Sequence, residues 1–173
     1  MPHATLNHID LPRLQQLGHC LAEYFPSELV IGLVGTLGAG KTTFTQALAA
    51  AMGIDAEDVT SPTFTLLCSY DAQLAAGPIR LHHLDAYRVS DEDEFLELGV
   101  EELFEAKNTW VLIEWADRMR SVLPDETLWM TIDVEESETD DVVPHRRLTL
   151  QTNNPDLQRP LNQLVTAMAS SSR

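Results

Sequence analysis

Eight consecutive residues, Gly35-Thr36-Leu37-Gly38-Ala39-Gly40-Lys41-Thr42, constrain this chain more than any other feature, because they satisfy G-x-x-x-x-G-K-[ST] in full. Such a loop works only between a strand and a helix. Its small residues let backbone N–H groups turn inward around phosphate oxygens, and the helix that follows adds the positive end of its dipole. The flanks comply: Leu29, Val30, Ile31, Leu33 and Val34 form the short apolar run of a strand covered on both faces, and the alanine-rich residues 42–52 read as a helix stopped by Gly53. Within the motif, Lys41 is spaced to reach β- and γ-phosphates and the Thr42 hydroxyl to reach a magnesium ion. Lys41 and Lys107 are the only lysines, arginine being the usual cation of this chain, so a lysine kept inside the loop suits a compact point charge for phosphate.

The rest of the pattern predicts an α/β protein. Asp10 caps a helix in which Leu11, Leu14, Leu17, Leu21 and Phe25 recur at three-and-four spacing, with Pro12 in its first turn. Residues 64–70 and 79–84 are strand-like and make a hairpin across a loop at 71–78, where Gly77-Pro78 signals a turn. Ser90 with Asp93 resembles a capping box for an acidic helix over 91–98, broken at Gly99 and resumed through Leu103 and Phe104. Trp110, Val111, Leu112 and Ile113 form another apolar strand that ends at Glu114. Residues 127–134 and 147–152 are a closing strand pair joined by the acidic loop 135–141, and a last helix runs from 155 to about 169, ahead of a frayed tail at 170–173. With no internal repeat or linker, residues 1–173 read as one domain: three layers of the P-loop NTPase type, with a central mostly parallel sheet plus antiparallel strands.

Composition narrows the function. The chain is 44% hydrophobic and 22% charged, as in a globular protein, but 27 acidic residues against 11 basic ones give a formal charge of -16. A free-standing nucleic-acid binder needs Lys and Arg to displace phosphate counterions, so any contact with RNA is expected through a partner. Residues 85–141 hold nineteen Asp and Glu and four Lys and Arg, a net of minus 15. That segment is either a set of solvated helix faces and a polar loop or an acidic docking surface for a basic partner. Cys20 and Cys68 lie far apart without metal-ligand spacing, which leaves two reduced, buried thiols. The N-terminus lacks a basic start followed by an apolar run, and no stretch reaches membrane-spanning length, so the expected location is the cytoplasm, away from membranes.

The nucleotide follows by elimination. No Asn-Lys-x-Asp is present to read guanine, which favours ATP, and no Leu-Ser-Gly-Gly signature of a transporter ATPase occurs. A small-molecule kinase, the runner-up, needs an arginine-rich lid, for which only Arg88, Arg118 and Arg120 are candidates.

Three further segments discriminate: Thr60-Ser61-Pro62-Thr63-Phe64, His83-Leu84-Asp85-Ala86-Tyr87-Arg88 and Glu114-Trp115-Ala116-Asp117-Arg118. With the glycine-rich loop, they match in order G-x-L-G-A-G-K-T-T, S-P-T-[FY], H-x-D-x-Y-R and E-W, and over roughly residues 29–134 the chain resembles the bacterial TsaE (YjeE) family. The resemblance implies a magnesium-dependent ATPase required for threonylcarbamoyladenosine in ANN-decoding tRNAs. It would act with TsaD and TsaB, which carry out the transfer, and meet tRNA only through that complex. It further implies that Gly35, Thr36, Leu37, Gly38, Ala39, Gly40, Lys41, Thr42 and Thr43, with Thr63 and Trp115, hold the nucleotide, and that Glu114 is a metal or catalytic residue.

Asp85 and Glu114 also end apolar strands, where an open α/β sheet presents groups to a ligand; with Thr42 they make a hard-oxygen set for magnesium, the alternative for Asp85 being a capping role. Lys41, Glu114 and Asp85 are accordingly the expected catalytic residues. Trp115 either stacks near the nucleotide or covers the core, residues 60–64 are either a γ-phosphate sensor or an ordinary Ser/Thr turn, and His83 and Tyr87 read as mainly structural. In one departure Thr36 stands where the family commonly has an acidic residue, which puts that side chain's organisation of water in doubt.

Overall fold

Alternating burial along the strands sorts their side chains onto two faces, and helices cover both. The computed structural model describes residues 1–59, 66–135 and 144–170. Its strands are β1 (His3–Ile9), β2 (Leu29–Val34), β3 (Leu67–Leu74), β4 (Gly77–Asp85), β5 (Thr109–Glu114), β6 (Leu128–Val134) and β7 (Arg146–Gln151), in one sheet of order β1-β7-β6-β2-β5-β4-β3. The central strands β6, β2, β5 and β4 are parallel; β7 and β1 extend one side antiparallel and β3 the other.

On one face, Leu17 and Leu21 of α1 (Leu11–Tyr24), Phe44 and Leu48 of α2 (Lys41–Ala51) and Leu161 and Leu164 of α5 (Gln158–Ser170) pack on Ile31, Leu33, Trp110, Leu112 and Met130. On the other, Phe95 of α3 (Glu92–Glu97), Val100 of α4 (Val100–Glu105), Met119 and Leu123 cover Val111 and Ile113. Consecutive residues of β5 thus serve opposite cores, as the period of two demands. The α1–α2 contact is close enough that a Cβ on Gly18 would stand 2.9 Å from the Ala47 carbonyl oxygen. This is the three-layer α/β arrangement that the pattern predicts, with a parallel centre and antiparallel margins.

Several boundaries differ from the sequence expectation. The alternating stretch at the N-terminus is a strand, β1, that the sequence reading passed over. The hairpin strands continue through the supposed loop at 71–78, because Ala72 and Leu74 face the core while Asp71 and Gln73 face outward, leaving only residues 75 and 76 between strands. The cap of α3 is Asp91, whose Oδ1 accepts from Glu94 N at 2.9 Å; Ser90 instead donates its N–H to Glu94 Oε2 at 2.7 Å, one position from the expected box. The segment from 155 opens as a 3-10 turn, Pro155–Leu157, before α5 begins. Cys20 is buried as expected, but Cys68 is half-buried, and both are free.

Other local signals hold. Asp10 Oδ1 accepts from Arg13 N at 2.9 Å to cap α1, and Gly53, at φ +81°, ends the turn beyond α2. Among the described residues no helix is long and apolar enough to cross a membrane.

Candidate active site

The loop between β2 and α2 needs its glycines for different reasons. Gly35 approaches β6 so closely that an added Cβ would stand 2.6 Å from the Ile132 carbonyl oxygen. Gly40 adopts φ +108°, a left-handed backbone that only glycine takes freely, immediately before the first residue of α2. Arg146 of β7 braces the loop from outside, its Nε donating to the Ala39 carbonyl at 2.7 Å.

Lys41, 5% exposed, donates from Nζ to the carbonyls of Gly35 at 2.6 Å and Thr36 at 3.0 Å, and its ammonium lies 3.7 Å from the centroid of the Trp115 ring. Burial pushes this ammonium below its ordinary pKa, an effect opposed by the carboxylates of Glu114, Asp117 and Asp85. Trp115 sits at φ +59°, just past the end of β5, and its ring also meets Tyr87 at 4.9 Å between centroids. It is therefore a cleft-lining ring in contact with the loop lysine and not merely a core cover.

The strand-end carboxylates meet at the same cleft. Glu114 is 2% exposed. Its Oε2 accepts from Thr42 Oγ1 at 3.2 Å, and its Oε1 lies 2.9 Å from His83 Nε2 and 3.3 Å from Thr45 Oγ1. Asp85 is the register partner of Glu114 on β4 and is half-buried, with Oδ1 accepting from Tyr87 N at 2.8 Å. Capping and cleft-lining thus occur together in one side chain. Leu37, Gly38, Gly40, Lys41, Thr42, Thr43, Asp85, Tyr87, Arg88, Glu114 and Trp115 line a cleft of about 370 Å³. A smaller, mainly apolar pocket of about 140 Å³ adjoins it across Gly40 and Thr43, walled by Ile9, Leu11, Leu14, Ile132 and Pro144.

The expected site residues from Gly35 to Thr43, with Asp85, Glu114 and Trp115, are thus brought to one region of the sheet edge. Thr63 and the segment 60–64 lie outside the described residues. Two groups that sequence reasoning left out belong to the site: His83, fully buried, and Thr45, both holding Glu114. His83, read as structural, shares a face of β4 with Asp85 two positions on, and Thr45 lies one helical turn beyond Thr42; those spacings were the available signals. Of the three candidate lid arginines, Arg118 is turned to the carbonyls of Tyr87 and Val89 and Arg120 stacks on Trp129 at 4.0 Å, leaving Arg88 alone of the three among the cleft-lining residues.

Fold and site together define a three-layer α/β protein in which a glycine-rich loop, a buried lysine and two strand-end carboxylates share one cleft. A family model described as "Threonylcarbamoyl adenosine biosynthesis protein TsaE" matches residues 9–147, and the chain belongs to the TsaE family. Among curated relatives, the tRNA threonylcarbamoyladenosine biosynthesis protein TsaE of Treponema pallidum is 40% identical over 105 residues, 61% of this chain and 73% of the relative. Its namesake in Bacillus subtilis is 43% identical over 103 residues, covering 60% of each chain, so the match spans less than two thirds of that relative. That of Streptomyces coelicolor is 35% identical over 139 residues, 79% of this chain and 89% of the relative. The crystal structure of Bacillus subtilis YdiB matches the fold with a TM-score of 0.70 at 26% identity, over 95% of both chains.

Proposed function

We propose that this protein binds and hydrolyses ATP with magnesium as an accessory component of threonylcarbamoyladenosine formation in tRNA, acting in the cytoplasm with TsaD and TsaB. The observation that carries this reading is the convergence of Lys41, Thr42, Asp85 and Glu114 on one cleft in a chain of the TsaE family. The glycine-rich loop is read as a P-loop holding the phosphates. The apolar pocket shared with Gly40 and Thr43 suits a nucleoside base, since its walls are aliphatic and it opens beside the loop.

The donor set fits the metal: a hydroxyl and two carboxylates are hard oxygen ligands, the class magnesium takes. Thr42, Asp85 and Glu114 would hold magnesium, which would supply positive charge against the phosphate oxygens. The protein's own groups do the rest. Lys41 places a positive charge beside the transferring phosphoryl group, and the closely packed loop presents backbone N–H groups. His83, Thr42 and Thr45 hold the Glu114 carboxylate in one orientation, so that it can order water and ligand without reorganising. Threonylcarbamoyl transfer itself and the grip on tRNA fall to the partners, in keeping with a formal charge of -16.

The test is phosphate release from ATP with no added acceptor, by the chain alone and with TsaD and TsaB. Slow release alone, accelerated by the partners, is expected. Absence of hydrolysis under both conditions overturns the ATPase reading, and release only on addition of a small-molecule acceptor would select the kinase.

A further inference from the structure

Outside the cleft, the end of β1, the exit of β6 and the entry of β7 bring together His8, Glu135 and His145, each offering one ligand atom within 4.8 Å of the others. His8 Nδ1 stands 3.0 Å from Glu135 Oε2, and the two imidazoles meet edge to face with centroids 5.9 Å apart. The three residues sit at the ends of three strands, His8 within β1, Glu135 just after β6 and His145 just before β7, so their meeting is a product of the fold.

Local backbone geometry aims them. The β1–β7 register shifts between Leu6 and Ile9, and the bulge leaves Asn7 and His8 both outward, with His8 at φ +54°. The Glu135 carboxylate meets this turn twice, since Oε2 also accepts from the His8 backbone N–H at 3.2 Å. Glu135 N donates to the His145 carbonyl at 2.9 Å, which fixes the two residues opposite each other where β6 and β7 part. The other carboxylate oxygen, Oε1, faces Arg147 Nε at 3.8 Å, and that Nε donates to Asn7 Oδ1 at 3.1 Å. One oxygen is thus anchored from behind while the other is turned to the imidazoles, the division found where a second group orients a ligand.

We propose that His8, Glu135 and His145 form a site for one divalent transition-metal ion of the zinc type, distinct from the cleft that holds Asp85 and Glu114. Two imidazoles and one carboxylate are the donors that zinc accepts with a fourth position left to water, whereas magnesium and calcium require oxygen ligands throughout. Bonds of about 2.0–2.2 Å in a tetrahedron place ligand atoms roughly 3.5 Å apart, so a separation of at most 4.8 Å closes by small side-chain rotations. An ion there ties together strand ends whose next residues, Ile9, Pro144 and Arg146, line the apolar pocket.

The experiment titrates Zn²⁺ by calorimetry, and Co²⁺ by its visible absorption, into the full untagged chain and into His8→Asn, His145→Gln and Glu114→Gln. Asparagine is chosen at position 8 because it tolerates the left-handed backbone, and circular dichroism checks that each variant is folded. One Zn²⁺ per chain is expected, with affinity falling at least about tenfold in each histidine variant and unchanged in Glu114→Gln. Zn²⁺ should also raise the Tm of the parent chain and not of a double variant carrying His8→Asn with His145→Gln. Failure of the parent chain to bind Zn²⁺, or binding that survives loss of both histidines or disappears in Glu114→Gln, overturns the site and leaves His8–Glu135 an ordinary ion pair.

Discussion

Asp85 and Glu114 end neighbouring parallel strands in register, yet Glu114 is sealed at 2% exposure among His83, Thr42 and Thr45 while Asp85 remains half-buried at the cleft wall. Two carboxylates that the sequence treats alike therefore differ in what their removal leaves behind.

Glu114→Gln should lower turnover by about a hundredfold or more while changing the ATP dissociation constant by less than about tenfold, because the loop and Lys41 still hold the phosphates. Single-turnover hydrolysis and calorimetric ATP titration measure the two effects separately. Glu114→Ala should lose a further ~1–3 kcal/mol of stability, since the buried His83 loses its partner while Thr45 keeps the Lys41 carbonyl at 2.9 Å. Asp85→Asn is the control: turnover that depends only on Asp85 would reverse the assignment, and binding and turnover falling together in Glu114→Gln would mark a structural role.

Lys41→Ala should abolish turnover and weaken ATP binding without unfolding the chain, as followed by titration and circular dichroism. The pH dependence has a definite sign. Burial lowers the pKa of this ammonium, so in the free protein the charge is lost at a lower alkaline pH than the ordinary lysine value sets. ATP affinity is full below that pH and weakens as pH rises through it, and Lys41→Ala should remove this alkaline limb.

Gly35→Ala and Gly38→Ala separate packing from backbone preference. The first drives a Cβ to 2.6 Å from the Ile132 carbonyl and should reduce stability by roughly 1–3 kcal/mol as the loop is pushed off β6. The second meets nothing within 4 Å, so only the left-handed backbone at φ +78° opposes it, at about 1–2 kcal/mol. Denaturant melts measure both, and the ATP affinity of Gly35→Ala should fall with the loop's displacement.

Trp115 should report nucleotide binding. It alone of the three tryptophans lines the cleft; Trp110 is fully buried with its Nε1–H donating to the Pro26 carbonyl at 2.8 Å, and Trp129 stacks under Arg120. ATP should change the emission of the parent chain, and Trp115→Phe should abolish most of that change. A signal that persists in Trp115→Phe would mean that the phosphates do not approach this ring.

Docking to a TsaD and TsaB pair should be faster at low salt, because residues 85–141 carry a net charge of minus 15 and screening at physiological ionic strength acts over about 8 Å. Association rates measured with ATP and with ADP at two ionic strengths test this. Salt-independent association removes the electrostatic part alone, whereas absence of association in every condition removes the partner assignment.

The sequence was informative where local pattern and contact coincide. The apolar run of β2, the glycine-rich loop and the alanine-rich α2 lie consecutively, and the two carboxylates follow apolar strands, so chemistry and position could be read together. β1 escaped notice because its buried residues Ala4, Leu6 and Ile9 lose their period of two at the Asn7–His8 bulge. The strand continuing through residues 71–74 was obscured by polar Asp71 and Gln73, which are simply its solvent face. The spacings of His83 from Asp85 and of Thr45 from Thr42 placed both near the cleft, but their meeting with Glu114 was not legible, because that contact exists only once β4, α2 and β5 have packed.

The hydrogen bond from Arg146 to the Ala39 carbonyl, with Gly35 pressed against Ile132, means that the strand, loop and helix over residues 29–51 are not a portable cassette. Their conformation is dictated by β6 and β7, which follow them by about a hundred positions in the chain. Nascent chain emerging from a ribosome would therefore carry a complete motif not yet braced from β6 and β7, and a graft of the motif into another sheet would have to bring the arginine that braces it.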